Sequence, residues 1–148
     1  ALKNIYAIAC GRADGLDSGE NTIGMIMTRG LGEMGRLATE LGANPQTFLG
    51  LAGVGDLITT CASPLSRNHQ FGKLIGKGYS VEEAKEKIGQ TIEGLKTLKV
   101  VKNISDEQNV EMPIVDSLYK IIYKSSKLDG SIQNVLGQDM SKDVEFIK

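Results

Sequence analysis

Apolar residues recur every three or four positions along most of the chain, which is the spacing of amphipathic helices. The longest stripe consists of Ile23, Ile26, Met27, Leu31, Met34, Leu37 and Leu41. No stretch of five or more residues alternates apolar and polar side chains between turn signals, as a half-buried strand would. The pattern therefore predicts an all-α chain, a multi-helix bundle.

Helix boundaries can be read from the residues that punctuate these stripes. Gly42 follows "LATELG" as a C-terminal stop, and Asn44 with Pro45 can begin the next helix. A further helix is expected to open at Ser63 with Pro64 in its first turn.

The second half of the chain carries the same kinds of signal. Gly76 and Gly78 end a helix, and Ser80 with Glu83 form a capping box. A stripe at Ile92, Leu95 and Leu98 is interrupted by "SDEQN", and Pro113 begins another helix. We expect six to eight helices, with the last dozen residues, "GQDMSKDVEFIK", liable to fray.

The segment "GLGEMG", Gly30–Gly35, matches the G-x-G-x-x-G spacing of a dinucleotide-binding loop. That spacing works only in a turn between a strand and a helix, where a pyrophosphate approaches the helix N-terminus. Here it lies inside the longest helical stripe. We interpret its glycines as positions of close helix packing.

Composition narrows the classes of partner. The 148 residues suit a single domain, and 17 basic against 18 acidic residues give a net charge of −1. Without a block of like charge, neither nucleic acid nor a membrane surface is favoured, so a small molecule is the expected partner. Cys10 and Cys61 are expected to be buried thiols in a reducing cytoplasm, and no apolar run is long enough to span a bilayer.

Glycine-rich polar segments, "ALKN", "LAGVGDLITTCASPLSRN" and "GQTIEG", separate the predicted helices and hold the candidate chemistry. Gly53 and Gly55 could deliver the Asp56 carboxylate into a tight site, with Thr60 one helical turn later. Ser66, Arg67 and Asn68 lie near a predicted helix start, where backbone N–H groups and a guanidinium favour an anion. The alternative for Arg67 is a solvated surface charge.

Three other polar residues have an ordinary structural interpretation. Lys3 precedes apolar residues and could act as an acid, or it could be a snorkelling surface lysine. Glu93 is a first-turn helix acid that complements the helix dipole. His69 is the single histidine, so no histidine-based metal site or catalytic triad can be assembled, and we expect it on a helix surface.

Taken in order, "ALKN", "GLDSGENT", "TRGLGEMGRL", "LGANPQTFLGLAGVGDLITTC", "SPLSRN" and "TIEG" resemble the C-terminal domain of bacterial NAD(P)-dependent glycerol-3-phosphate dehydrogenases. The resemblance covers residue 1 to about residue 136. It implies a helical substrate-binding domain over residues 1–148, similar to the C-terminal domain of 6-phosphogluconate dehydrogenase. In this family a dinucleotide-binding Rossmann domain precedes it, and that domain is absent from this chain.

The resemblance also implies a role for each matching residue. Lys3 would be the general acid and base, and Asp56 would orient Lys3 or the substrate hydroxyls. Thr60 would line the same pocket. Residues that would grip the substrate phosphate are Ser66, Arg67 and Asn68. Residues that would contact the cofactor, NAD or NADP, are Arg67, Thr91 and Glu93.

The implied reaction interconverts dihydroxyacetone phosphate and sn-glycerol 3-phosphate, supplying the glycerol backbone for phospholipid synthesis in the cytoplasm. The resemblance implies a homodimer, and the residues themselves predict neither a metal site nor a membrane span. Because the main binding surface for the nicotinamide lies in the absent domain, the isolated chain is expected to be inactive.

Three alternatives remain open at this stage. The chain could be a helical dimerisation or interaction module without chemistry, or the C-terminal domain of a related 2-hydroxyacid dehydrogenase. The third alternative is a DNA-binding helix-turn-helix motif, whose turn "LATELGANPQTF" resembles. Its recognition helix would be "QTFLGLAGVGDL", which contains no basic residue to contact a phosphate.

Overall fold

The computed structural model describes residues 2–44, 46 and 51–124. Within these residues the chain forms seven helices and no strand, which confirms the all-α prediction. The helices are α1 (Lys3–Gly15), α2 (Glu20–Glu40), α3 (Leu51–Ala62), α4 (Arg67–Gly76), α5 (Val81–Ile88), α6 (Glu93–Gln108) and α7 (Pro113–Tyr123).

Several boundaries follow the local signals in the sequence. Helix α2 ends at Glu40, and Gly42 then adopts φ +87°, a left-handed conformation that favours glycine. Ser80 and Glu83 form the predicted capping box, with the Ser80 Oγ accepting from the Glu83 N–H at 3.1 Å. Pro113 is the first residue of α7. All three predicted boundaries are confirmed, and each depends on residues only a few positions apart in the sequence.

Three boundary predictions need correction. Helix α4 begins at Arg67 with Ser66 as its N-cap, because residues 63–66 form a turn closed by the Ser66 N–H and the Ser63 carbonyl. The "SDEQN" segment does not interrupt α6, which runs to Gln108 and stops at Asn109 in the left-handed conformation. The glycine-rich "LAGVGDLITTCA" is helix α3 rather than a loop, since Leu57 and Cys61, one turn apart, are buried in the core.

Two predictions fall wholly or partly outside the described residues. The first is the helix start at Asn44 and Pro45, because Pro45 lies outside the described residues. Within them, the Asn44 Oδ1 accepts a hydrogen bond from the Gln46 N–H at 3.0 Å. The fraying expected over the last dozen residues is the other.

Helix α1 is the centre of the bundle, since Ile5 to Ala13 are buried without interruption. It packs most closely on α4, through glycines spaced four residues apart on each helix. A Cβ on Gly11 would lie 2.0 Å from the His69 carbonyl oxygen, and one on Gly72 would lie 2.0 Å from the Ile8 carbonyl oxygen. Gly15 and Gly76 make equivalent approaches to Lys73 and Arg12. The two backbones are therefore in direct contact.

This contact also fixes the direction of the pair. Ile8 faces Gly72 and Arg12 faces Gly76, so both helices advance together along the chain. Helices α1 and α4 are therefore parallel, and their N-termini lie at the same end of the bundle.

The "GLGEMG" segment lies inside α2, as predicted, and Gly30 packs on a side chain. A Cβ on Gly30 would lie 2.7 Å from the Tyr6 ring. Glu33 in the same segment is fully buried and accepts hydrogen bonds from the Tyr6 hydroxyl at 3.1 Å and from the Ile114 N–H at 2.7 Å. This carboxyl group thereby caps the start of α7 from α2.

Both cysteines are buried thiols, as predicted. Hydrogen bonding to the Cys61 thiol, together with burial, raises the pKa of the Cys10 thiol far above its usual range. Across the described ranges, the helices are too short or too polar to cross a bilayer.

Candidate functional site

Three helix N-termini meet at one end of the bundle. The parallel packing of α1 and α4 brings Lys3 and Arg67, the first residue of each helix, to this end. Helix α6 joins them, because the Asn68 Oδ1 accepts a hydrogen bond from the Gly94 N–H at 2.8 Å. A Cβ on Gly94 would lie 3.0 Å from the Asn4 carbonyl oxygen. The link between Lys3 and Arg67 thus runs through Asn4, Gly94 and Asn68.

Helix α3 contributes a carboxylate to the same end. The Lys3 ammonium forms a hydrogen bond and an ion pair with the Asp56 carboxylate, 53 residues further along the chain. Both side chains remain accessible, at 34% and 55% exposure. Thr60 is half-buried one helical turn after Asp56, so both residues lie on the same side of α3. The structure therefore pairs Lys3 with Asp56, and Thr60 follows Asp56 one turn later on α3.

The charges at these helix starts are unusual. Helices α1 and α4 each begin with a cation, Lys3 and Arg67, and neither has an acidic residue in its first turn. The N-terminus of a helix carries a partial positive charge, so cations there are unfavourable in the absence of an anion. The Asp56 carboxylate already offsets the charge of Lys3, and a bound anion would offset that of Arg67 and accept from free backbone N–H groups.

Ser66 and Arg67 are held in position by local contacts. The Ser66 Oγ caps α4 by accepting from the His69 N–H at 3.3 Å, which leaves its hydroxyl proton able to donate. One guanidinium nitrogen of Arg67 donates to the Gln90 Oε1. The guanidinium carries five N–H donors, so further ones can point to an anion.

Asn68 is buried and has an architectural function at this junction. Helix α6 begins after Ile92 without a side-chain cap of its own. The Asn68 amide oxygen satisfies the Gly94 N–H instead, so a residue of α4 caps α6.

Thr91 and Glu93 lie at the start of α6, and both are exposed. Glu93 is the first residue of the helix, where an acid complements the dipole. Thr91 and Gln90 line a groove of about 580 Å³ whose walls also carry Lys85, Lys96 and Lys99. We call this the lysine groove. The groove thus combines three basic residues with the polar side chains of Gln90 and Thr91.

Sequence reasoning missed two residues of this region. Gln90 holds Arg67, and its only signal was its place in the polar segment "GQTIEG". His69 was expected on a helix surface, which is wrong because it is 5% exposed. Its ring contacts Asp14 of α1, 55 residues earlier, and local spacing cannot indicate such a long-range contact.

Comparison with known proteins agrees with this architecture. The family model for the C-terminus of NAD-dependent glycerol-3-phosphate dehydrogenase matches residues 1–133. A glycerol-3-phosphate dehydrogenase [NAD(P)+] of Pseudomonas aeruginosa is 54% identical over 147 residues, covering 99% of this chain and 43% of the relative. The corresponding Alcanivorax borkumensis protein is 51% identical over 146 residues, with the same coverage.

The fold has a counterpart among solved structures. A crystal structure of glycerol-3-phosphate dehydrogenase from Coxiella burnetii superposes with a TM-score of 0.88 at 40% identity. The match covers 93% of this chain and 42% of that one. The chain thus spans less than half the length of the proteins it matches. Matched along nearly its whole length, it belongs to the family of C-terminal domains of NAD-dependent glycerol-3-phosphate dehydrogenases.

Proposed function

We propose that this chain is the substrate-binding domain of an NAD(P)-dependent enzyme that interconverts dihydroxyacetone phosphate and sn-glycerol 3-phosphate. The observation that carries the proposal is the meeting of Lys3 and Arg67 at the N-terminal ends of two parallel helices in backbone contact. A phosphorylated ketone needs a cationic phosphate site and a proton donor close together. This end of the bundle offers both.

The phosphate is the part of the substrate that Ser66, Arg67 and Asn68 would hold. The Arg67 guanidinium matches phosphate oxygens with two N–H groups, and its contact with Gln90 restricts its rotamers before substrate arrives. The Ser66 hydroxyl donates a second hydrogen bond. The Asn68 amide oxygen is occupied by Gly94, so in this site Asn68 would reach the phosphate through its NH₂ group.

Lys3 is the proposed proton donor to the carbonyl oxygen during reduction and the proton acceptor during oxidation. Asp56 would orient the ammonium group and accept from a substrate hydroxyl, while Thr60 lines the pocket beside it. Positioned proton transfer of this kind contributes about 10² to 10⁴ in rate.

The basic residues of the lysine groove could balance the charge of an anionic dinucleotide near Gln90, the partner of Arg67. Thr91 lines the lysine groove, and Glu93 follows two positions later at the start of α6. NAD(P)H, when bound, supplies the hydride to the carbonyl carbon. We propose that Arg67, Thr91 and Glu93 contact it, and that a separate Rossmann domain carries its main binding surface.

The assembly and location of the enzyme are further parts of the proposal. The homodimer rests on the family resemblance, and the cytoplasm rests on the same resemblance together with two buried free thiols. The product would supply the glycerol backbone of phospholipids, and this chain alone would not turn substrate over.

Isothermal titration calorimetry with sn-glycerol 3-phosphate tests the phosphate site. Arg67→Ala is expected to weaken binding by about 10- to 100-fold, the range for a lost charge-assisted hydrogen bond. Lys77→Ala, which removes an exposed cation at the opposite end of α4, is the matched control and should leave the affinity unchanged. Glycerol, which lacks the phosphate, should not bind. Equal affinities for the wild type and Arg67→Ala would contradict the proposal.

A chimera tests the proton transfer. The chain would be joined to the part of the Pseudomonas aeruginosa relative that precedes the matched segment. Lys3→Ala should lower kcat by about 10² to 10⁴ with a small change in the Kd for sn-glycerol 3-phosphate. A Lys3→Ala chimera with normal kcat would exclude Lys3 as the acid.

A further inference from the structure

His69 is a buried titratable residue that directly follows Ser66, Arg67 and Asn68 in the sequence, and the mechanism above does not use it. Its ring lies within hydrogen-bond distance of two acceptors. Nδ1 is 2.8 Å from the Cys61 carbonyl oxygen at the end of α3, and Nε2 is 3.2 Å from the Asp14 Oδ2 on α1.

The chemistry of these partners indicates which form of the ring fits. A backbone carbonyl can only accept, so Nδ1 must carry a proton. The Asp14 carboxylate can also only accept when ionised, and its hydrogen bond with His69 is the main cause that lowers the pKa of Asp14. Only the doubly protonated, positively charged ring donates to both partners.

Among the residues that the structure describes, two charged side chains meet at the outer edge of the ring. Asp14 is on α1, and Lys73 of α4 lies 3.5 Å from the same carboxylate oxygen. Helix α3 presents the Cys61 carbonyl, next in sequence to Thr60. A neutral ring protonated at Nδ1 would turn a lone pair toward the Asp14 carboxylate and lose that attraction.

The ring ties together the helices that build the site. His69 follows Arg67 and Asn68 directly, and its own N–H is capped by the Ser66 Oγ. Its carbonyl oxygen is the atom that Gly11 of α1 approaches so closely. His69 therefore joins the start of α4 to α1 through its backbone, and its ring adds hydrogen-bonding contacts to α3 and α1.

We propose that His69 is a positioning residue. Its doubly protonated ring holds Ser66, Arg67 and Asn68 in the geometry that binds a phosphate monoester. Proton uptake by the ring and phosphate binding are therefore coupled. This inference rests on the proposed function. Coupling is reciprocal: a ligand that binds the protonated form more tightly also makes the ring harder to deprotonate.

Nuclear magnetic resonance of the wild-type chain tests the coupling directly, since His69 is its single histidine. The ring signals are titrated with pH, without and with saturating sn-glycerol 3-phosphate. The phosphate ester should move the titration midpoint of the ring to higher pH by at least about 0.5 unit, a threefold coupling. The ¹⁵N shifts below the midpoint should show both ring nitrogens protonated.

The possible failures are distinct. Binding of the phosphate ester with an unchanged titration overturns this inference and leaves the proposed function standing. No binding by the wild type at any pH overturns both.

Two variants separate positioning from general packing. Asp14→Asn keeps the side-chain size but removes the charge that favours the doubly protonated ring, so the ligand-induced shift should disappear. Asp17→Asn removes the same charge three residues away, at an exposed turn, and should retain the shift. His69→Gln should weaken binding about threefold or more at pH 6 and approach the wild-type affinity at pH 8.5. A loss that is the same at both pH values would indicate a purely structural role.

Discussion

Two carboxylates, Glu33 and Asp56, lie in similar glycine-containing segments, "GLGEMG" and "AGVGDL", yet the structure uses them in opposite ways. Glu33 is fully buried and accepts from the Tyr6 hydroxyl and from the backbone of α7. Asp56 is about half exposed and pairs with Lys3 at the open end of the bundle. One carboxyl group connects helices, and the other is placed where a substrate can reach it.

The contrast shows that a strongly perturbed acid need not be catalytic. Burial raises the pKa of Glu33 to about 8, although hydrogen bonds from Ile114, Tyr6 and Val115 act in the opposite direction. Perturbed acids often mark functional sites. Here the perturbation reflects desolvation at a helix junction. The features that point to chemistry are accessibility and the cations at two helix starts.

Removal of the buried carboxyl group should have the largest effect on stability. Glu33→Ala leaves the Tyr6 hydroxyl and the Ile114 and Val115 N–H groups without their partner, and unsatisfied buried groups cost about 1–3 kcal/mol each. We expect a loss of about 4 kcal/mol in the free energy of unfolding by urea denaturation. Glu107→Ala, an exposed acid of α6, is the control and should change it by less than about 0.5 kcal/mol. A Glu33→Ala variant as stable as this control would contradict the capping role.

A methyl group added between α1 and α4 should have the next largest effect on stability. Gly72→Ala places a carbon where the Ile8 carbonyl oxygen already lies, so the helices must separate, at a cost of about 3 kcal/mol. It should also weaken binding of sn-glycerol 3-phosphate, because this contact positions both Lys3 and Arg67.

Gly24 provides the matched control in α2. Its added Cβ would meet no atom within 4 Å, so Gly24→Ala should stabilise the chain by up to about 1 kcal/mol through helix propensity. If both alanines are tolerated equally, the backbone contact between α1 and α4 does not hold the site together.

Stability should depend on pH through Glu33. Its folded-state pKa, about 8, lies above its unfolded value near 4.5, so the folded chain keeps a proton that the unfolded chain loses. The associated stabilisation is complete below about pH 4.5 and is lost as pH rises through 8, with a slope of about 1 kcal/mol per pH unit or less. Denaturation at several pH values should show this slope in the wild type and a flatter one in Glu33→Gln.

Loss of the exposed carboxylate should have the smallest effect on stability. Asp56→Asn breaks a partly solvated ion pair, which typically contributes about 0–1 kcal/mol. In the chimera the same variant should lower kcat by at least about tenfold, because Lys3 loses its orientation. A large loss of stability with unchanged turnover would make Asp56 a structural residue like Glu33.

The sequence predicted features that depend on neighbouring residues. The capping box at Ser80, the stop at Gly42 and the start at Pro113 each involve a few adjacent side chains, and all three are confirmed. Helix α3 was misread because glycine lowers helix propensity locally, whereas burial of Leu57 and Cys61 stabilises it in the folded chain.

Features that depend on contacts between two distant segments could not be predicted from local sequence patterns. The ring of His69 pairs with Asp14, 55 residues earlier, and the cap on α7 depends on Glu33, 81 residues before Ile114. The spacing of four between Gly11 and Gly15, and between Gly72 and Gly76, was visible in the sequence. Its meaning appears only when the two helices are placed side by side.

The most direct test of the central claim is a map of backbone amide shifts in ¹H–¹⁵N spectra as sn-glycerol 3-phosphate is added, with glycerol as the comparison. If three helix N-termini form one anion site, the largest shifts should fall together on Asn4, on residues 67–69 and on Gly94. Shifts at the opposite end of α4, around Gly76, or shifts confined to one of the three segments, would contradict it.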